Sequence, residues 1–354
     1  MGILRLLFAL SVVFAHLDLK FLLGGRIAVE LFFITSGYLI AGIIRSKKYS
    51  SRKNFILSRL MRIYPLYFIT LITTLLVNFT IGNQDISEIY KYLLDNGNYF
   101  LITLSILVNF LILGQDLLFY ITYSPKFFSF TSNYSEHYPY LNKVLIVPQG
   151  WTLSLELYFY FIYSLLQKYK KSLIFIFITS LLLRLYFFQI SLGTQEPWDY
   201  RFFPLEVNFF LLGVSVFALV CKFNHLLDLK SIKLLQKILY LLFIGLIVCK
   251  SLIDLPPLIS TILYVSLYLI VLPISAEINL NSKIDNYLGQ LSYPIYIVHI
   301  LVIQIFTYWS GDLQEYQSTI IQLFLIIMLV GSLILKFIVN PIEKYRKRFA
   351  HLTN

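Results

Sequence analysis

IAVELFFITSGYLIAGII, residues 27–44, is an apolar run that leads straight into RSKKYSSRKNFILSRLMR, residues 45–62. The first run is long enough to cross the hydrocarbon core of a bilayer as a helix. The second carries Arg45, Lys47, Lys48, Arg52, Lys53, Arg59 and Arg62 and no acidic residue. Basic flanks of membrane helices collect on the cytoplasmic side. The pair of runs therefore predicts a membrane helix that ends inside, which places the N-terminus inside as well.

Comparable runs recur along the chain. Spans are predicted at 3–20, 27–44, 63–81, 150–167, 172–190, 203–221, 236–252, 257–275, 289–309 and 318–340. The fold class is all-α, a polytopic transmembrane helical bundle of about ten spans with both termini cytoplasmic. Only 13% of the 354 residues are charged and 58% are hydrophobic, whereas a soluble domain carries about 25% charged residues. Mean hydropathy is +0.76. A soluble enzyme, a disordered chain and a disulfide scaffold are all excluded. In a soluble protein the net charge of +11 would suggest nucleic acid. Here the basic residues sit in short loops, so topology explains them first and an acidic, phosphate-bearing ligand second. No nucleic-acid partner is expected, and membrane lipid is. Cys221 and Cys249 offer no disulfide framework, and the five histidines are scattered without a metal-ligating pattern.

Two segments need arbitration. The first apolar run lacks a small-x-small cleavage site and is followed by His16, Asp18 and Lys20, so it reads as a retained helix. The stretch 98–123 is also apolar, but as a full span it would push Lys168, Lys170 and Lys171 outside. As a re-entrant or interfacial element it leaves every basic loop inside. Its Asn109, Gly114, Gln115 and Asp116 suit an element buried in protein. Segment 120–140 reads as an irregular outer loop. The whole chain, 1–354, reads as a single transmembrane domain.

A charge inside the hydrocarbon costs roughly 2.5–3.5 kcal/mol on insertion scales. The exceptions are Arg5, His16, Glu30, Glu156, Arg184, Glu206, His299 and Lys336. Arg5 and His16 are close to three helical turns apart, on one face, with a rise of about 16 Å. Arg5 is expected near the inner surface and His16 at mid-membrane or slightly beyond. A buried imidazole is a good acid–base group near neutral pH; a snorkelling arginine and a packing histidine are the plainer readings. Glu30, Glu156, Arg184 and Glu206 fall at compatible outer depths, as one polar cavity or as a structural ion-pair network. Lys336 reads as a snorkelling lysine. Arg59 and Arg62 share a face, either as a topology anchor or as a phosphate clamp, and Tyr64-Pro65 follows. Ser36-Gly37 allows close approach of a helix or a ligand. Trp151 suits an interfacial anchor, and His299 either packing or catalysis.

Taken in order, these features resemble the membrane-bound acyltransferase-3 family, the bacterial O-acetyltransferases of surface glycans. Arg5…His16 matches its Arg-x10-His. Ala28-Val29-Glu30-Leu31-Phe32-Phe33-Ile34-Thr35-Ser36-Gly37-Tyr38-Leu39-Ile40 is similar to its glycine-valine-acid-x-Phe-Phe-x-x-Ser-Gly-Phe/Tyr-Leu-Ile stretch. Arg59-x-x-Arg62-Ile63-Tyr64-Pro65 matches its arginine pair before Tyr-Pro. Trp151-Thr152-Leu153-Ser154-Leu155-Glu156 and the segment from Leu288-Gly289 to His299 resemble two further elements. Ala28 stands where glycine is usual, Glu30 where aspartate is frequent, and Thr152 where serine is usual.

The resemblance implies cytoplasmic acetyl-CoA as acyl donor, no metal, and a glycan or lipid-linked glycan as acceptor. Arg59 and Arg62 would hold the CoA phosphates with Arg5 assisting, and Ser36, Gly37 and Tyr64 would line the donor site. His16 would be the general base or acyl-carrying nucleophile, oriented by Glu156 or Glu30. Trp151, Arg184, Glu206 and His299 would meet the acceptor. The expected location is the bacterial inner membrane, and no fused esterase-like domain is expected. Competing readings are a flippase for a lipid-linked sugar and a same-fold transferase of another acyl group such as succinyl.

Overall fold

The computed structural model describes residues 1–82, 84–124, 127–134, 136, 138, 140–227, 230–278, 282–311 and 317–352. The chain is almost wholly helical: α1 (Gly2–Ala15), α2 (Gly25–Arg45), α3 (Arg52–Val77), α4 (Gln84–Asp95), α5 (Tyr99–Leu111), α6 (Trp151–Leu166), α7 (Lys170–Gln189), α8 (Phe203–Leu227), α9 (Lys230–Val248), α10 (Pro257–Ile278), α11 (Lys283–Ser310), α12 (Gln317–Ile334) and α13 (Asn340–Leu352). Each predicted span coincides with one of these helices. Among the described residues eight helices are long and apolar enough to cross a membrane. The remaining two expected spans are α1 and α6, shorter at 14 and 16 residues.

α1 ends five residues before its predicted limit. Beyond it Asp18 (φ 55°) and Leu22 (φ 58°) take left-handed backbone, which stops a helix. Apolar content carried the prediction past that stop.

α1, α2, α8 and α11 form the centre. α2 and α8 approach backbone to backbone: a Cβ on Gly37 would overlap the Phe210 carbonyl, and one on Gly213 would overlap the Ile34 carbonyl. α7 lies at the periphery. Its one buried residue is Ser180, and Phe175, Ile178, Leu182 and Leu185 are exposed, as expected of a helix whose surface meets lipid.

Four elements begin at one end of the bundle. Asp285, at the start of α11, accepts hydrogen bonds from the Gly2 and Ile3 amides at 2.8 and 2.9 Å, which satisfies two N–H groups that the first turn of α1 leaves without helical partners. Arg346 of α13 donates to Ser58 Oγ at 3.0 Å, beside the basic start of α3. An even number of crossings requires this common end.

The stretch 98–123 is not one helix. α5 covers Tyr99–Leu111, and a separate short 3-10 turn, Asp116–Phe119, follows it. The buried polar groups of this stretch are bonded within the protein except Oε1 of Gln115, which has no partner among the described residues. Asn109 donates to the Ser105 and Val144 carbonyls and accepts from the Ile146 amide. Gln115 donates to the Tyr67 hydroxyl at 2.7 Å. Segment 120–140 is less irregular than expected: strands β1 (Ile121–Ser124) and β2 (Phe127–Phe130) form an antiparallel hairpin. The β-branched and aromatic residues flanking Pro125-Lys126 are the signal for it.

Asp116 is 1% exposed and accepts from Ser154 Oγ at 2.8 Å and the Tyr158 hydroxyl at 3.1 Å. Burial pushes its carboxyl from the ordinary 3.8 up to about 6, against the opposing pull of those hydroxyls. The folded chain therefore holds this proton over a range where the unfolded chain has released it. The stabilisation it contributes is present below about pH 4 and is lost as pH rises through about 6. Asp116→Asn removes that dependence. Its melting temperature in detergent, relative to the parent, is expected to be higher at about pH 7 than at about pH 4. An equal difference at both pH values would contradict this.

Candidate active site

One cleft, enclosing about 820 Å³ with its mouth included, is lined by α1, α2, α3, α6 and α11. α2 contributes Val29, Phe32, Phe33, Ser36 and Ile40, a spacing that keeps one helix face to the cavity over a rise of about 16 Å. α6 contributes Thr152, Glu156 and Tyr160, again one face, and α11 contributes Ser292, Tyr293 and Tyr296. Arg5, Arg59 and Arg62 complete the wall.

The three guanidiniums are unbalanced. Among the described residues none of them lies in an ion pair. Arg59 is 2% exposed, donates only to the Tyr49 hydroxyl at 3.4 Å, and leaves its Nε without a partner. The acid of the cleft is Glu156, which accepts from Ser36 Oγ at 2.8 Å and from the Tyr160 hydroxyl. Three cations converging on a cleft whose lining holds Glu156 as its acid, with Glu343 close by but paired to Arg346, favour an anion.

The cleft thus gathers Arg5, Ser36, Arg59, Arg62 and Glu156 out of the residues that the sequence singled out. Others lie elsewhere. Gly37 packs α2 on α8, because its side of α2 is one helical step away from the cleft. Tyr64 donates to the Leu111 carbonyl at 2.5 Å and ties α3 to the end of α5. Glu156 faces Ser36 and Tyr160, not an imidazole.

Glu30 is 1% exposed and sits 3.9 Å from Arg26, which also pairs with Asp199 at 3.3 Å. Arg184 pairs with Glu206 at 2.5 Å. The outer charges are therefore a buried ion-pair network across α2, α7 and α8, the plainer of the two expectations for them. It neutralises groups that would be costly alone in hydrocarbon.

Trp151 is 5% exposed and already covered. Arg201 lies 4.6 Å over its ring, and Tyr200 meets it edge-on at 5.4 Å. Arg201 in turn pairs with Glu196 at 3.3 Å. Burial raises the Glu196 carboxyl, but Arg201 and the Tyr200 and Tyr134 hydroxyls outweigh it, so the net shift is downward.

His16 follows α1 directly, a rise of about 16 Å from Arg5. It caps the C-terminal end of α1 and is exposed, because the helix stops there. The charges of Arg201, Asp18 and Glu196 act on it. Its ring lies beside that of His299, with centroids 5.1 Å apart. His299 is fully buried, one turn beyond Tyr296 of the cleft.

Several of these residues escaped the sequence reading. Tyr160 stands four residues after Glu156, a spacing that helical periodicity alone makes adjacent. Arg201, Glu196, Arg26 and Asp199 lie in short loops or at a helix start, where charges are ordinary and give no signal. Tyr293 and Tyr296 lie in the Leu288–His299 segment that carries the resemblance, but of that segment the sequence singles out only His299 for the site.

A family model described as "Acyltransferase domain", of the acyltransferase-3 type, matches residues 1–340. No curated protein matches the chain. No solved structure matches it either.

Proposed function

Because the chain belongs to the acyltransferase-3 family and is a multi-pass membrane acyltransferase, we propose that it moves an acetyl group from cytoplasmic acetyl-CoA to a sugar hydroxyl. The acceptor in this reading is a bacterial cell-surface polysaccharide or its lipid-linked precursor, and the enzyme works in the inner membrane. The observation that carries it is the unpaired trio Arg5, Arg59 and Arg62 on one ligand-sized cleft. CoA brings phosphates that three guanidiniums would hold by charge-assisted hydrogen bonds, and a slender arm that suits a long cleft with apolar walls.

The phosphates would sit at the arginine end, on the basic side of the membrane. The arm would run along the α2 face past Phe32 and Phe33, bringing the thioester toward Tyr296. Glu156, held by Ser36 and Tyr160, then belongs to the donor side. His16, at the far end of α1, takes the proton from the acceptor hydroxyl. The alkoxide oxygen bonds to the thioester carbonyl carbon, the carbon–sulfur bond breaks, and the proton passes to the departing thiolate. The charges around His16, from Arg201, Glu196 and Asp18, would meet the acceptor from outside.

The direct test compares the surface polysaccharide of a deletion strain with that of its parent by NMR. Loss of O-acetyl signals with the polymer still exported is expected. Loss of the polymer itself would favour a flippase, and unchanged O-acetylation would reject acetyl transfer. Membranes given radiolabelled acetyl-CoA or succinyl-CoA would separate the two donors.

A further inference from the structure

His299 and His16 are far apart in sequence, yet their rings lie 5.1 Å apart at a tilt of 42°. His299 is 0% exposed, and its Nδ1 lies 2.7 Å from the Tyr296 carbonyl oxygen. A carbonyl can only accept, so Nδ1 carries the proton, and in the neutral ring Nε2 keeps its lone pair. That Nε2 is buried and has no hydrogen-bond partner. An orphaned acceptor at such depth is rare in folded proteins and points to a role.

His16 offers the complement. Among the described residues, no hydrogen bond holds its imidazole. A base of this kind needs its tautomer and direction set by a partner on its second nitrogen. A carboxylate usually serves, but Glu156 is engaged by Ser36 and Tyr160, Glu30 lies with Arg26, Glu196 pairs with Arg201, and Asp18 acts on His16 by its charge without a hydrogen bond.

We propose that His299 is the positioning residue for His16: its Nε2 accepts a hydrogen bond from one ring nitrogen of His16 and leaves the other nitrogen unprotonated and directed at the reacting hydroxyl. This rests on the reading of His16 as the base. A neutral acceptor suits the place, because it adds no net charge to the hydrocarbon. The backbone bond at Nδ1 prevents His299 from exchanging its tautomer, so the acceptor is always presented. When His16 takes the hydroxyl proton, the bond to Nε2 becomes charge-assisted and stronger. When the proton passes to the leaving thiolate, the starting state returns. Tyr296, whose hydroxyl meets Thr152 at 2.7 Å in the cleft wall, connects this turn of α11 to the donor site.

The test reads the tautomer of His16 without turnover. Nitrogen-15-histidine NMR is recorded on the full-length protein in detergent, with the His16 signals assigned through their loss in His16→Ala. The parent is expected to show one fixed tautomer. His299→Phe, which keeps a ring but offers no acceptor, should give the averaged signals of a free imidazole. His299→Gln, whose side-chain oxygen can accept, should restore the bias. Acetyl transfer from radiolabelled acetyl-CoA in membranes should follow the same order. A loss of roughly 10- to 100-fold in maximal rate is expected for His299→Phe, with an unchanged apparent KM for acetyl-CoA and at least partial recovery in His299→Gln. An unchanged His16 tautomer in His299→Phe overturns the proposal, as does equal loss in both variants. If the tautomer responds but His16→Ala still transfers acetyl groups, the pairing stands and the catalytic reading of His16 falls.

Discussion

His16→Ala is expected to abolish O-acetylation of the surface glycan while the protein accumulates normally in the membrane. Removing a general base costs roughly 100- to 10,000-fold in rate, and loss of an acyl-carrying nucleophile would cost at least as much. Stability should change little. His16 is exposed at the end of α1, its side chain fills no core position, and among the described residues no hydrogen bond depends on it. The measurement is the O-acetyl content of the glycan beside the abundance of the protein on an immunoblot. Normal acetylation in this variant would dismiss His16 as the reacting centre and leave the cleft without a base at its far end.

Arg59→Ala/Arg62→Ala should weaken acetyl-CoA binding roughly 100-fold, about 3 kcal/mol, since each hydrogen bond from a charged donor is worth about 1.5–3 kcal/mol. The effect on folding should be small or even favourable. Neither side chain takes part in an ion pair among the described residues, and the two cations crowd each other and Arg5 beside the same cleft. Removing one partner of a matched buried pair is strongly destabilising; removing an unmatched cation breaks no ion pair, and for Arg59 only the 3.4 Å bond to Tyr49 and the contact with the Phe55 ring. Calorimetric titration of acetyl-CoA into the detergent-solubilised variant, with its melting temperature, separates the two effects. Unchanged affinity would leave the pair as a topology anchor. Reduced affinity with a collapsed melting temperature would show a structural role instead.

The contrast with Arg184 shows how differently two arginines in one membrane protein behave. Arg184 lies 2.5 Å from Glu206, and its loss would leave a carboxylate buried and unpaired. In the sequence both kinds of arginine are simply a charge in or near an apolar run, and both stood as candidates for function. Only the partner's position tells them apart.

Hydropathy and charge in the sequence alone determined that this is a helical membrane protein, where its ten apolar segments lie, and that 98–123 is not a plain span. Each of those follows from the cost of placing charge or unpaired backbone in hydrocarbon, which acts residue by residue and needs no knowledge of neighbours. Periodicity likewise put Arg5 and His16 on one face, and Arg59 and Arg62 on another. The tertiary structure decided the rest. Left-handed backbone at Asp18 and Leu22 ended α1 early and left His16 at a helix end. Packing against α8 took Gly37 out of the cleft, and pairing withdrew Arg184, Glu206 and Glu30 into a network. The meeting of His16 with His299 had no local signal at all. A side chain's role depends on what lies within a few ångströms of it, and contacts between distant segments are set by how helices pack, which no single segment encodes.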